Sequence, residues 1–335
     1  MAKMTQRERV LHAVQHRTTD VVPYHTFYTL PVQEKLKQYF GTEEIEQALG
    51  NHIAKLRIRL PDVEIKPGFW RDEYGVVWNR TIDKDIGVVE ERLIKNRALI
   101  DLDLPAPDDP LRLQMFEEFI QKNPDRFRLV SLSNALFERA WSLRGMEDLM
   151  IDMIEAPGFV DELLDYITDY HLQEIDAALS YDIDGISISD DWGTQTGLMF
   201  GPRLWRKFIK PRIAKMYSKI KGAGKVTFTH SCGKVQSILN DLIEIELDVF
   251  NPFQPEVMDV YEIKRQYGDK LAFFGGVGVQ SILPNGTPKE IRNEIKRLIN
   301  EIGKGGGFII GPSHAISGDV PIENIIAMID SFQNQ

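Results

Sequence analysis

Short apolar runs rich in β-branched residues alternate with long amphipathic segments through the second half of this chain. This pattern is typical of βα units, in which each helix carries the chain back to the start of the next parallel strand. The sequence predicts eight strands, at residues 21–27, 57–65, 128–133, 184–189, 225–230, 247–250, 271–275 and 308–311. Eight strands with intervening helices predict an α/β fold, a single (β/α)8 (TIM) barrel, and one domain spanning residues 1–335 is an ordinary length for it.

Residues 69–93 depart from this alternation of strands and helices. Residues 70–78 are typical of a strand, a turn at Gly75 and a second strand, which predicts an inserted β-hairpin. Two interpretations stay open: a solvated excursion with two half-buried tryptophans, or a lid over the barrel mouth. The segment 101–110, rich in Asp and Pro, is predicted to be a linker that leads to the next helix.

Charge and composition restrict the partners. The chain has 40 basic and 50 acidic side chains, a formal charge of -10, which argues against nucleic acid or an anionic membrane as a partner. No apolar run approaches the roughly 18 residues that cross a bilayer. A single cysteine excludes an internal disulfide, and the charged start lacks an apolar signal core, so we expect a cytoplasmic protein. A small-molecule substrate is expected, and the sequence leaves a homodimer open.

Polar residues follow the apolar part of one predicted strand after another. The sets are residues 190–195, 230–232, 251–254, 276–280 and 312–314. In a (β/α)8 barrel the carboxyl ends of the strands all face one mouth, where enzymes of this fold build their sites. We therefore predict that five loops converge on one pocket, because buried polar groups cost free energy unless they have partners.

His230 and the only cysteine, Cys232, are the first candidates for chemistry. Side chains alternate between faces along an extended chain, so these two point the same way and can hold one ion or one substrate group. Taken singly, each has a plainer interpretation, a hydrogen-bonded structural histidine and a small buried thiol. The two together favour a functional role.

The remaining candidates are assigned to catalysis or to substrate binding. We expect His230, Asp190, Asp191 and His314 to be catalytic, although an aspartate after a strand also serves as a helix cap. Some of the substrate-binding candidates could instead satisfy loop backbone. These candidates are His25, Tyr28, Trp192, Gln195, Asn251, Gln254 and Gln280.

Read in order, the motifs at residues 190–195, 202–211, 230–233, 251–255 and 305–328 resemble those of the uroporphyrinogen decarboxylase superfamily. The resemblance extends from Arg7 to Asn324 and implies a single (β/α)8 barrel. True decarboxylases have an arginine-rich segment after the first strand that clamps tetrapyrrole carboxylates, yet residues 18–55 contain no arginine. We therefore expect a pocket suited to something smaller and more apolar.

The other branch of this superfamily comprises corrinoid-linked methyltransferases, including O-demethylases of aryl methyl ethers. That branch uses zinc held by a His-x-Cys pair and a later cysteine; His230 and Cys232 match the pair, and His314 stands at the later position. The resemblance thus implies a zinc site of His230, Cys232 and His314, with Asp190 or Glu138 as a further ligand.

The leading hypothesis is a methyltransferase that moves a methyl group between a small substrate, a methoxylated aromatic or a thiol, and a corrinoid carried by a partner protein. Without a metal, the two histidines and an aspartate would act as proton donors and carboxylate orienters, which suits decarboxylation. The alternatives are a uroporphyrinogen decarboxylase-type tetrapyrrole decarboxylase and a non-catalytic barrel that binds a corrinoid or tetrapyrrole.

Overall fold

The computed structural model describes residues 3–82, 84, 87–100 and 102–335. Its helices are α1 (Gln6–Val14), α2 (Leu30–Phe40), α3 (Ile45–Leu49), α4 (Pro110–Lys122), α5 (Phe137–Arg144), α6 (Met146–Glu155), α7 (Pro157–Leu179), α8 (Gly201–Leu204), α9 (Lys210–Gly222), α10 (Leu239–Glu244), α11 (Val260–Tyr267), α12 (Ile282–Asn285), α13 (Pro288–Glu301) and α14 (Ile322–Gln333). Its strands are β1 (Ile53–Arg57), β2 (Val63–Lys66), β3 (Phe69–Arg71), β4 (Val77–Asn79), β5 (Val88–Val89), β6 (Phe127–Ser133), β7 (Gly185–Ser189), β8 (Val226–His230), β9 (Val249–Phe253), β10 (Ala272–Val277) and β11 (Phe308–Pro312).

Seven parallel strands form one curled sheet in the order β1-β6-β7-β8-β9-β10-β11. Helices carry the chain between consecutive strands, which confirms the predicted α/β barrel architecture. The register aligns the carboxyl ends of the strands, because Ser133 pairs with Ser189, Ser189 with His230, and His230 with Asn251. Residues that follow these strand ends therefore meet at one mouth.

The eighth position in the barrel is filled by residues 21–28, which do not form the predicted regular strand. On the β11 side this segment makes only isolated parallel bridges, at Tyr24 and Tyr28. On the β1 side, the amide of Thr26 donates to the side chain of Asn51 instead of a strand carbonyl. Because Pro23 also lacks an amide, the backbone ladder is interrupted and the prediction of a strand at 21–27 is wrong.

Six of the other predicted strands are present, with ends shifted by a few residues. The strand predicted near residues 57–65 is wrong, because β1 ends at Arg57 and β2 begins only at Val63 in a different sheet. Charged Lys55 and Arg57 gave β1 a polar appearance, since their side chains face a cavity and not the packed core. Pro61 lies between the two strands and cannot donate to a ladder.

The lower barrel interior is filled by apolar side chains from several strands. Ile53, Leu129, Phe228 and Phe274 pack together there, and Val10 of α1 closes the cluster from below. The first four also line the cavity above. The packed interior therefore forms the apolar floor of the cavity.

Local signals explain the helix boundaries. Thr287 caps α13 through a reciprocal bond with Glu290, and Pro288 occupies its first turn. The helix predicted at 202–221 is divided into α8, a π-helical turn at Trp205–Ile209, and α9. Pro211 cannot donate the usual backbone hydrogen bond, which fits the widened turn before it. Among the described helices, none combines the length and the apolar character that a membrane span requires.

The insertion is larger than the predicted hairpin. Strands β2 to β5 form a four-stranded antiparallel sheet, which begins at Val63 instead of residue 69 and turns at Gly75 with φ 83°. Trp78 is buried and lines the barrel cavity together with Arg80, so the sheet is part of the mouth and not a solvated excursion. Residues 83, 85 and 86 of the predicted hairpin, and Asp101 of the predicted linker, lie outside the described residues. Residues 102–109 form neither helix nor strand.

Buried charges hold this inserted sheet on the barrel. The Asp72 carboxylate accepts hydrogen bonds from the Trp78 indole at 3.0 Å and from the Arg139 guanidinium at 2.7 Å. Arg112 of α4 donates to Glu73 of the sheet, to Glu174 of α7 and to the Tyr170 hydroxyl. These contacts fix the sheet, and with it one wall of the mouth, to three helices of the barrel.

Candidate active site

A cavity of about 450 Å³ opens at the carboxyl ends of the strands. Six of the predicted site residues line it: His25, Tyr28, Asp191, His230, Asn251 and His314. Nδ1 of His25 is buried and has no hydrogen-bond partner among the described residues, and burial lowers its pKa to about 3. The imidazole is therefore neutral at physiological pH.

Three side chains place potential metal ligands close together: His230 and His314 line the cavity, and Cys232 lies beside His230 without lining it. One nitrogen or sulfur atom each of His230, Cys232 and His314 lies within 4.8 Å of the others. Sγ of Cys232 is 3.4 Å from Nε2 of His230. A tetrahedral zinc ion with ordinary bond lengths would separate a nitrogen and a sulfur ligand by roughly 3.6 Å. The donor set and its spacing therefore fit zinc.

The hydrogen bond of His230 to Asn251 occupies Nδ1, so Nε2, which lies beside Sγ of Cys232, is the ring nitrogen that can act as a ligand. Its Nδ1 lies 2.6 Å from Oδ1 of Asn251, and Nδ2 of Asn251 donates to the carbonyl of Phe274 at 3.0 Å. Since that amide is oriented by its donated bond, its oxygen accepts from Nδ1–H of the histidine. Burial lowers the pKa of His230, which keeps the ring neutral. The lone pair is thus on Nε2, toward Cys232.

Acidic side chains lie on the next wall of the cavity. Oδ1 of Asp191 accepts the amide of Cys232 at 2.8 Å and lies 3.9 Å from Nε2 of His230. Glu138, on the first turn of α5, also lines the cavity. Burial, and then the Asp191 carboxylate, raise the pKa of Glu138. Burial likewise raises the pKa of the Cys232 thiol, so a metal would displace its proton on binding.

Asp190 points away from the cavity, contrary to the prediction of a catalytic role and of metal ligation. It is fully buried, and its carboxylate accepts the amides of Leu136, Phe137 and Glu138 at 2.8 to 3.1 Å. It also accepts the Trp192 indole at 2.5 Å. Burial raises the pKa of Asp190 to about 6, so it is ionised at neutral pH. Its role is to hold the first turn of α5, which carries Glu138 to the cavity.

The Asp190→Asn variant is expected to unfold with about 2 kcal/mol less free energy than the native protein. The new amide group places donors against the amides that the carboxylate now satisfies. Urea unfolding followed by circular dichroism measures the difference. Asp169→Asn, at an exposed position on α7, is the control and should change stability by less than about 0.5 kcal/mol. Equal stability of the two variants would refute the capping role of Asp190.

Four predicted substrate-binding residues do not line the cavity. The Trp192 indole is fully buried behind it, and the Gln254 side chain is buried and accepts the amide of Gly233 at 3.3 Å. Gln195 and Gln280 are exposed on their loops. Of the five predicted loops, four contribute one lining residue each, Asp191, His230, Asn251 and His314. The loop 276–280 contributes none, so the prediction that all five converge on the pocket is wrong for it. Loops follow no side-chain periodicity that a sequence could reveal.

The cavity carries a cationic wall that the sequence interpretation missed, so the pocket expected to suit something smaller and more apolar is charged on one side. Lys55, Arg57, Arg59 and Arg80 line it. Residues 18–55 contain no arginine, but the cations come from β1, the turn after it and the inserted sheet. The signal was the two-residue spacing of Lys55, Arg57 and Arg59, which places side chains on one face of an extended chain.

The fold has a close counterpart among solved structures. A methyltransferase from Methanosarcina mazei superposes with a TM-score of 0.76 over 99% of both chains, at 21% sequence identity. At this identity the likeness shows the fold alone.

The curated relatives include both methyltransferases and uroporphyrinogen decarboxylases. The methylcobamide:CoM methyltransferase MtaA of Methanosarcina barkeri is 25% identical over 190 residues, which are 57% of this chain and 53% of that protein. The uroporphyrinogen decarboxylase of Coxiella burnetii is 25% identical over 190 residues, 54% of this chain and 49% of that protein. The chain thus spans about half the length of these curated relatives.

The family itself is shown by a broader match. Residues 81–335, about three quarters of the chain, match the family described as uroporphyrinogen decarboxylase (URO-D). The match includes β6 to β11 and the residues at 138, 191, 230, 232, 251 and 314. The chain therefore belongs to the uroporphyrinogen decarboxylase (URO-D) family.

Proposed function

We propose that this protein is a methyltransferase that moves a methyl group between a small substrate and a corrinoid carried by a partner protein, with one zinc ion held by His230, Cys232 and His314. The observation that carries the proposal is the convergence of these three ligand atoms within 4.8 Å at the mouth of the barrel. Relatives named as methylcobamide:CoM and methylated-thiol–coenzyme M methyltransferases support it.

Zinc at this site would supply Lewis acidity, which lowers the pKa of a thiol acceptor or polarises the oxygen of an aryl methyl ether. Asn251 holds His230 in the tautomer that presents Nε2. Asp191 fixes the backbone of Cys232 through its amide. His230, Cys232 and His314 would hold the ion with three protein ligands, the number found in catalytic zinc sites.

Glu138 is a candidate proton donor in the same cavity. Burial, and then the Asp191 carboxylate, raise its pKa, which favours the protonated carboxyl, and both side chains line the cavity. In the demethylation of an aryl ether, a carboxyl Oε–H can donate to the departing phenolate oxygen. The cytoplasmic location predicted from the sequence suits a site that needs its single cysteine reduced.

A tetrapyrrole decarboxylase is the second candidate, favoured by the Coxiella burnetii relative and by the cationic wall. The cavity has too few cationic side chains for the carboxylates of a uroporphyrinogen. A uroporphyrinogen carries about eight ionised carboxylates at neutral pH. Four cationic side chains line the cavity, and two of them already share Asp62. The cavity is thus better suited to a smaller molecule with fewer charges.

Methyl exchange with free cobalamin tests the proposed function. Zinc-loaded protein is incubated with methylcobalamin and thiols, and separately with cob(I)alamin and methoxybenzoates, while the cobalamin spectrum is followed. We expect methyl transfer in at least one direction, well above the protein-free rate. The same protein is assayed for carboxylate loss from uroporphyrinogen. Decarboxylation without methyl exchange would replace the proposal by the second candidate, and tight cobalamin binding without any turnover would indicate a non-catalytic barrel.

A further inference from the structure

Lys55 and Arg57 stand on the same face of β1 and point into the cavity. They alternate with Ala54 and Leu56, and Ile53 on the same face as the cations forms part of the floor. Both cations are exposed, and both side chains line the cavity. The strand therefore presents two adjacent positive charges to whatever occupies the cavity.

Neither cation forms an ion pair within the described part of the chain, and the Asp62 carboxylate acts on Arg57 only at longer range. Asp62, the nearby carboxylate, is already bound by Arg59 at 2.7 Å and by Arg80 at 2.6 Å. Burial and the charge of Arg57 lower the pKa of Lys55 to about 8, and burial and Arg59 lower that of Arg57. Two neighbouring cations that line one cavity without an ion pair repel each other, which costs free energy. An anion between them would relieve that cost.

We propose that Lys55 and Arg57 form an anion subsite that binds one carboxylate or sulfonate group of the substrate. This inference rests on the proposed function, because it names the substrate class for the same cavity. Arg57 can bind such a group through two parallel hydrogen bonds, and Lys55 adds a point charge.

The arrangement around the subsite defines the rest of the molecule it accepts. In the strand order, β1 lies three positions from β8, so the subsite faces His230 across much of the barrel. Between them the floor is apolar, with Phe228 and Phe274, and Trp78 adds an aromatic wall. The occupant is therefore a short monoanion whose apolar body spans the floor and whose other end, a thiol or ether, reaches the metal ligands.

Binding of simple anions tests the subsite without zinc, corrinoid or turnover. Native protein in a chloride buffer is titrated calorimetrically with benzoate, with ethanesulfonate and with neutral benzamide. We expect at least one of the two anions to bind more tightly than benzamide. In Lys55→Met and Arg57→Gln its affinity should fall by about 10- to 100-fold, the range for a hydrogen bond to a charged group. Lys304→Gln, which removes an exposed charge from the turn before β11, should bind like the native protein.

Thermal unfolding separates a binding role from a structural one. Without anions, Lys55→Met should melt at a higher temperature than the native protein, because the repulsion between Lys55 and the neighbouring Arg57 has been removed. Below pH 8 Lys55 is charged in both the folded and the unfolded chain, so the difference is complete there. It should shrink as the pH rises from about 8 toward 10.5, because the folded chain releases this proton first.

The outcomes are distinct. Preference for only benzoate or only ethanesulfonate supports the subsite and identifies its group as a carboxylate or a sulfonate. Absence of anion preference in the native protein, equal affinity in the variants, or a lower melting temperature of Lys55→Met would each overturn the subsite. If anion binding depends on Lys55 and Arg57 but no methyl exchange occurs, the subsite stands and the proposed function falls.

Discussion

The Cys232→Ala variant is expected to lose its bound zinc and to transfer methyl groups at least about 100-fold more slowly than the native protein. Without the thiolate, only His230 and His314 of the three ligands remain, fewer than the three protein ligands of catalytic zinc sites. Changes to residues that merely support such ligands already cost 10- to 100-fold in affinity or activity. Elemental analysis gives zinc per chain, and the cobalamin spectrum gives the rate.

Ser231→Ala is the matched control for that variant. Ser231 lies between the two ligands but is fully buried, and its hydroxyl accepts the amide of Trp192 at 3.0 Å. It should keep one zinc per chain with a methyl-transfer rate within a few-fold of native. Stoichiometric zinc in Cys232→Ala, or equal rates in the two variants, would contradict the proposed role of the thiol.

The Arg112→Met variant is expected to unfold with about 3–5 kcal/mol less free energy than the native protein, the range for breaking a buried ion pair from one side. The guanidinium is 1% exposed, and its removal leaves Glu73 and Glu174 buried without their cation. Because this cluster joins the inserted sheet to α4 and α7, the wall that carries Trp78 should loosen as well. Urea unfolding followed by tryptophan fluorescence measures both effects.

Two further variants show whether the loss of stability in Arg112→Met comes from the broken ion pairs. Arg292→Met, at an exposed position on α13, should change stability by less than about 0.5 kcal/mol. Combining Arg112→Met with Glu73→Gln and Glu174→Gln should recover part of the loss, because no unpaired charge then remains. A loss below 1 kcal/mol in Arg112→Met would show that the buried cluster does not hold the sheet.

The sequence was sufficient for elements that are set by local periodicity. A buried parallel strand such as β11 is apolar at every position, so its run stands out in the sequence. The sequence was insufficient where tertiary contacts determine the conformation of a segment. The segment at Pro23 is held by isolated backbone bridges and by a side-chain partner, Asn51, from outside the segment. Strand β5 has two residues, Val88 and Val89, too few for a pattern.

The site residues likewise divide into those that local periodicity predicts and those that tertiary contacts position. His230 and Cys232 could be assigned to one face because strand alternation is regular, and the same rule would have exposed Lys55 and Arg57 had β1 been located correctly. Adjacent residues Asp190 and Asp191 must face opposite ways, but which one enters the cavity depends on α5, whose amides Asp190 binds. The contacts of loop residues such as Gln254 are set by neighbouring backbone, which no spacing encodes.

X-ray absorption at the zinc edge of the purified, metal-loaded protein tests the central claim most directly. With His230, Cys232 and His314 as ligands, we expect one sulfur at about 2.3 Å and at least two imidazole nitrogens at about 2.0 Å around one zinc per chain. The sulfur should disappear in Cys232→Ser. A native spectrum without a sulfur neighbour, or protein that holds no stoichiometric zinc, would contradict the metal site on which the proposed methyl transfer depends.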